Sequence, residues 1–157
     1  MILYGQRRER FPAYVVFQRP MMGRQPWHLW TSPAFSHCWV FRPIWFPEQG
    51  LAADEFTLKI EFPERRIDVA VWWADTDQTL AAFLDTEVVT DILRVRVDAD
   101  DKIGYMPKGL MTCVSGLKAF LGVRAWWVLT PRQLYQHLRR RGARSMRWET
   151  SLDGSRN

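Results

Sequence analysis

The sequence predicts a single α+β domain: an antiparallel sheet of about five strands with a cysteine-bearing helix packed on it. Three observations carry that expectation. Three β-type segments, at 35–42, 58–62 and 68–73, follow one another through short turns, the pattern of a meander. Two strong helix openings come later, at Thr112 and at Thr130-Pro131. The length, 157 residues of which 47% are hydrophobic, suits one core rather than two.

Taken in order, residues 1–33 are rich in Arg, Pro and Trp and have little periodicity. Prolines at this frequency interrupt regular elements. The expectation is an extended segment that wraps the domain or docks on a neighbour, with one strand at Ala13–Gln18. The domain proper is expected over 34–142, and a frayed basic tail over 143–157. In Phe35–Arg42, period-two alternation puts Phe35, His37, Trp39 and Phe41 on one face and Ser36, Cys38 and Val40 on the other. Leu58–Phe62 is the next strand, ended by Pro63, and Asp68–Trp73 the third.

Thr76–Leu84 reads as a short helix capped by Asp75 or Thr76. Val88–Val97 reads as a strand and Asp98–Gly109 as a polar loop. Thr112 can cap a helix over Cys113–Leu121, where Val114, Leu117 and Leu121 form an apolar stripe and Gly122 can end it. Val123–Leu129 reads as a buried strand. Thr130 caps a last helix with Pro131 at its first position. That helix ends at Gly142, with Arg140 and Arg141 in the last turn, where the helix dipole favours cations.

Composition narrows the function classes. No apolar run approaches the roughly 18–20 residues that span a bilayer. Arg7, Arg8 and Arg10 are not followed by an apolar run, so no secretory leader is expected and synthesis is expected in a cytoplasm. Two cysteines, Cys38 and Cys113, are too few for a disulfide scaffold, and no CxxC or HxxxH spacing marks a metal site. No cofactor is implied. The net charge is +5, and between Thr130 and Trp148 there are six arginines and no acid. That Arg132–Arg147 segment is either a solvated tail or a contact for an acidic partner such as nucleic acid.

The candidate chemistry sits on Cys113 and His37. A helix N-terminus favours a thiolate, because its backbone N–H groups have no partners and the dipole favours negative charge. Cys113 follows the expected cap directly. His37 lies mid-strand among apolar residues and could take the thiol proton. A third polar group commonly orients such a histidine; Glu61 is the first candidate and Asp68 the second. The bland alternatives are a small buried thiol, a satisfied core histidine and a solvent-facing glutamate. Cys38, on the opposite face from His37, reads as core, and the same alternation disfavours a Cys38–Cys113 disulfide. His28 and His137 read as surface or interface residues. Trp72-Trp73 and Trp126-Trp127 each read as one buried and one exposed ring.

The order, His37 before Cys113, together with FSHCWVF at 35–41, KIEF at 59–62 and MTCVSGLKAFLG at 111–122, resembles the permuted papain-like thiol hydrolases of the NlpC-like and lecithin:retinol-acyltransferase-like branch. The block RAWWVLTPRQLYQHL at 124–138 is similar to the end of small phage and prophage members. The resemblance covers roughly residues 34–140. It implies a papain-like fold with Cys113 as nucleophile, His37 as general base and Glu61 as orienting residue. It further implies peptide or peptidoglycan substrates. For a phage member it also implies a place in the virion tail among neighbouring virion proteins, with or without activity.

Overall fold

In a computed structural model, which describes residues 10–20, 32–44, 56–63, 66–98 and 112–147 (the side chains of Arg10 and Asp98 excepted), six strands form one antiparallel sheet. The strands are β1 (Arg10–Gln18), β2 (His37–Ile44), β3 (Phe56–Glu61), β4 (Asp68–Trp72), β5 (Val89–Asp98) and β6 (Arg144–Ser145). Their order across the sheet is β4-β3-β2-β1-β5-β6. The helices are α1 (Thr76–Leu84), α2 (Cys113–Phe120) and α3 (Pro131–Arg140).

The expected meander is present as β2-β3-β4, each strand pairing with the next. The alternation expected in β2 is also present. Cys38 and Val40 join Val15, Phe17, Leu93, Val114, Leu117 and Leu134 on the face covered by α2 and α3. Trp39 and Phe41 join Tyr14, Val16, Ile92 and Leu80 on the face covered by α1. A sheet buried on both faces needs apolar residues at successive positions in its middle strands. The unbroken run Ala13–Phe17 in β1 meets that need, and all five residues are buried.

Three sequence expectations change. Residues 10–18 do not wrap the domain: β1 lies between β2 and β5, inside the sheet, so the domain reaches back before residue 34. The sheet has six described strands rather than five, because residues 144–145, expected in the tail, pair with Leu93 and Arg94. Ser145 is buried there, and its hydroxyl donates to Asp91 at 2.7 Å. Asp91 also accepts from the Tyr135 hydroxyl at 2.9 Å and from the Ile92 backbone N–H. That carboxylate thus joins β5, β6 and α3, and each polar group it buries has a partner.

The third change is at Val123–Leu129, which is a connection and not a strand. Only Val123, Ala125 and Val128 are buried there, a spacing that does not keep period two. The segment links two helices on the same face, and β6 takes the free side of β5. Trp126 and Trp127 are consequently both exposed, at 79% and 55%, instead of one in and one out. At Trp72-Trp73 the expected split holds: Trp72 packs against Phe83, and Trp73 is 85% exposed. The expected loop at 98–109 lies almost wholly outside the described residues.

Candidate active site

The site begins with the opening of α2. Thr112 has extended backbone angles, and its hydroxyl accepts from the Ser115 N–H at 3.1 Å. Ser115 returns the contact by accepting from the Thr112 N–H at 2.7 Å, completing a capping box. Cys113 is therefore the first helical residue, and its own N–H lies in the turn that has no intrahelical acceptors. Thr112→Ala should lower stability by about 1 kcal/mol; urea unfolding followed by circular dichroism reads this directly.

Antiparallel pairing brings the other two residues to the same end of the sheet. β2 enters at His37, and β3, its neighbour, leaves at Glu61. The His37 Nε2 lies 2.8 Å from Glu61 Oε1. The Cys113 thiol acts on the same imidazole and helps to raise its pKa. The second Glu61 oxygen, Oε2, is 2.5 Å from Lys59 Nζ. That ammonium in turn sits over the rings of Trp39, at 5.0 Å, and Trp72, at 5.8 Å. The result is a continuous chain, Cys113–His37–Glu61–Lys59, with each link set by a strand end or a helix cap.

Close packing sets the depth of α2. Gly116 lies against the ring of Phe62, the residue after Glu61; a Cβ at Gly116 would come within 2.3 Å of Phe62 Cγ. Only a glycine lets the helix approach the end of β3 this closely.

The electrostatics follow from these contacts. The thiol of Cys113 is held well below its ordinary range, first by a hydrogen bond from the Cys38 thiol, against the opposing effect of burial, and then by the His37 imidazole. The Cys38 backbone N–H adds a further hydrogen bond to the same sulfur. Burial alone would lower the pKa of His37, but its hydrogen bonds to Cys113 and Glu61 outweigh burial and raise it to about 9. Glu61 is lowered to about 2 by its hydrogen bond to His37, against burial, with help from Lys59. A thiol lowered beside an imidazole raised favours moving the proton to the ring, toward a thiolate–imidazolium pair.

The structure thus brings together Cys113, His37 and Glu61. It does not bring in Asp68, which pairs with Arg66 at 3.2 Å. Cys38 is fully buried in the core as expected, and it and Cys113 are both free thiols, although they approach the same face of the sheet. Its face of β2 is the one that α2 covers, so both it and His37, at the first position of the strand, act on the Cys113 thiol and lower its pKa. Alternation separates neighbours on a strand but says nothing of a third residue arriving over the strand end. Lys59 also escaped the sequence reading; its place two residues before Glu61, on the same side of β3, was the available signal.

Of the other histidines, His28 lies outside the described residues. His137 is half-buried beside the Trp127 ring, and burial and then Arg141 and Arg140 lower its pKa. Among the described residues, no cluster of His, Cys, Asp and Glu could hold a metal ion. No described helix is long and apolar enough to cross a membrane. Part of the arginine-rich segment gathers elsewhere: Arg141 and Arg144 join Arg94 and Arg96 of β5 around a cavity of about 450 Å3.

Fold and site together define an α+β domain with a cysteine–histidine–glutamate cluster at the opening of a helix. No protein-family model, curated protein or solved structure matches the chain.

Proposed function

We propose that the protein is a thiol hydrolase of the permuted papain-like, phage-associated type, acting on amide bonds of peptides or of peptidoglycan peptides. The observation that carries this reading is the gathering of Cys113, His37 and Glu61 at one end of the sheet, His37 Nε2 lying 2.8 Å from Glu61 Oε1, with the Cys113 thiol lowered and the His37 imidazole raised. A core cysteine and a satisfied core histidine would need neither the helix N-terminus nor the carboxylate.

The chemistry is acyl transfer. The Cys113 thiolate attacks the substrate carbonyl carbon, and the carbonyl oxygen takes the negative charge. The Cys113 backbone N–H, free of an intrahelical acceptor, is available to that oxygen. His37 gives its proton to the leaving amine as the C–N bond breaks, leaving an acyl thioester on Cys113. His37 then takes a proton from water, the hydroxide attacks the thioester, and the acid leaves with the thiolate restored. Glu61 touches no reacting atom. It holds the ring and favours the imidazolium, and Lys59 holds Glu61.

The test is hydrolysis of a panel of peptide and muropeptide amides. The active form carries a thiolate and an imidazolium, so kcat/KM should be flat through neutral pH and should fall as pH rises through about 9, where His37 loses its proton. Cys113→Ala should abolish turnover. Glu61→Gln should lower it by about 10–100-fold and bring the alkaline limb to lower pH, since the ring loses a charged partner. A merely structural glutamate would leave the position of that limb unchanged.

A second reading, an inactive fold used in particle assembly, is favoured by one observation. The edge strand β4 exposes Val69 and Val71, followed by Trp73, and the α2–α3 connection exposes Trp126, Trp127 and Leu129. Exposed apolar groups of this size mark contact surfaces. In that case Cys113 would show no turnover and the alkylation behaviour of an ordinary thiol.

A further inference from the structure

The hydrolytic mechanism has no use for Cys38. A fully buried thiol nevertheless lies in the core cluster that the partly buried Cys113 packs against, on the sheet face that α2 covers, and it favours the thiolate of Cys113. We propose that these two cysteines form a reversible disulfide when a hydroperoxide oxidises Cys113, so that the site carries its own oxidative modification and its own protection. The proposal rests on the activated-thiolate reading of Cys113, but not on what substrate that thiolate cleaves.

The positions of the two sulfurs assign their roles. Cys113 opens α2 and is partly exposed, so a small peroxide meets it first. Cys38 sits one residue inside β2 among Val15, Phe17, Val40 and Leu117, where solvent does not reach. Burial keeps it a neutral thiol and raises its pKa. It is therefore slow to react with peroxide directly, because the thiolate is the reactive form. Its contact with Cys113 compensates, since a group held beside its target reacts as if at very high concentration.

The steps balance. The Cys113 thiolate attacks one peroxide oxygen and the O–O bond breaks. The leaving alkoxide takes the His37 proton and departs as an alcohol, or as water from hydrogen peroxide. Sulfur is oxidised by two electrons to the sulfenic acid, and the peroxide is reduced. The Cys38 sulfur then attacks the Cys113 sulfur and the S–O bond breaks. The hydroxide takes the Cys38 proton and leaves as water, and the S–S bond forms. An external dithiol returns both thiols. Without Cys38, a sulfenic acid exposed to more peroxide passes to sulfinic and sulfonic acids, which thiols do not reverse.

The experiment treats the reduced 157-residue chain with a small excess of hydrogen peroxide, then measures its intact mass and its labelling by iodoacetamide before and after dithiothreitol. The expected product has lost two hydrogens, resists labelling at both cysteines, and recovers on reduction. Cys38→Ala, and Cys38→Ser as a second variant in case the first repacks the core, should instead gain oxygens at Cys113 and fail to recover. A wild-type chain that alkylates fast at acid pH but gains oxygens without a disulfide would overturn the proposal and leave the thiolate reading intact. A chain that alkylates as an ordinary thiol and resists peroxide would overturn both.

Discussion

Replacing His37 with alanine is expected to lower any amide hydrolysis by about 10²–10⁴-fold, the range for loss of a positioned acid–base group, while slowing alkylation of Cys113 at about pH 6 only roughly tenfold. The difference between the two readouts is informative. An ordinary thiol, with a pKa of about 8.5, is a thiolate in only about one molecule in 300 at pH 6. The paired thiol, held well below that range, is a thiolate in a far larger fraction of molecules there. A thiolate of low basicity is also a weaker nucleophile, and that offsets much of the population gain. Hydrolysis gains no such offset from losing the histidine, because it needs the ring twice, as acid toward the amine and as base toward water. Cys38→Ala separates the causes further: it removes the thiol that hydrogen-bonds the sulfur but leaves the proton carrier, so it should impair hydrolysis less than His37→Ala. Competing rates on a small chloromethyl-amide probe and on a peptide amide would measure both numbers on the same sample.

Gly116→Ala is expected to destabilise the protein by about 2 kcal/mol, although the same change on an exposed helix would stabilise it by about 1 kcal/mol. The added methyl would meet the Phe62 ring at Cγ and Cδ1, both within 2.3 Å, at the base of the side chain, which cannot swing away. The helix must move off β3 or the ring must leave a core it shares with Val114 and Leu117. For a chain of this length the loss corresponds to a fall in Tm of about 4–8 °C. The double variant Gly116→Ala with Phe62→Leu should regain much of it. Movement of α2 also carries Cys113 away from His37, so the single variant should raise the thiol pKa and slow alkylation at acid pH even under conditions where it stays folded. A Tm at or above the wild type would mean that the helix does not depend on this close contact.

The meander and both later helices were legible because each had a local cause. Period two in 35–42, the proline after Phe62 and the cap-and-proline pair Thr130-Pro131 all act within a few residues, and the structure has β2, β3 and α3 where those signals put them. The central place of β1 was not legible. Arg10–Gln18 reads as a strand, but nothing in it says that β2 and β5 flank it, since that pairing joins residues far apart in the chain. The exposed tryptophans at 126–127 misled for a related reason. Aromatic and β-branched residues suggest a strand, yet a strand needs a neighbour, and the edge of β5 was taken by two residues from the supposed tail.

At the site the same division holds. The cap at Thr112 and the order of His37 and Cys113 were readable, and Glu61 was a reasonable choice because it ends the next strand. Its neighbour Lys59 and the approach of Cys38 to Cys113 were not readable. Both depend on which face α2 covers, a matter of packing between elements.

The proposed chemistry requires Cys113 to rest as a thiolate paired with the His37 imidazolium. The most direct measurement is a pH titration of thiolate absorbance in the ultraviolet, taken as the difference between the wild type and Cys113→Ser. A resting thiolate gives a signal already present in neutral solution that survives well below the ordinary thiol range of about 8.5, and that moves toward that range in His37→Ala. A difference signal that appears only as the pH rises through that ordinary range, the same with and without His37, would contradict it.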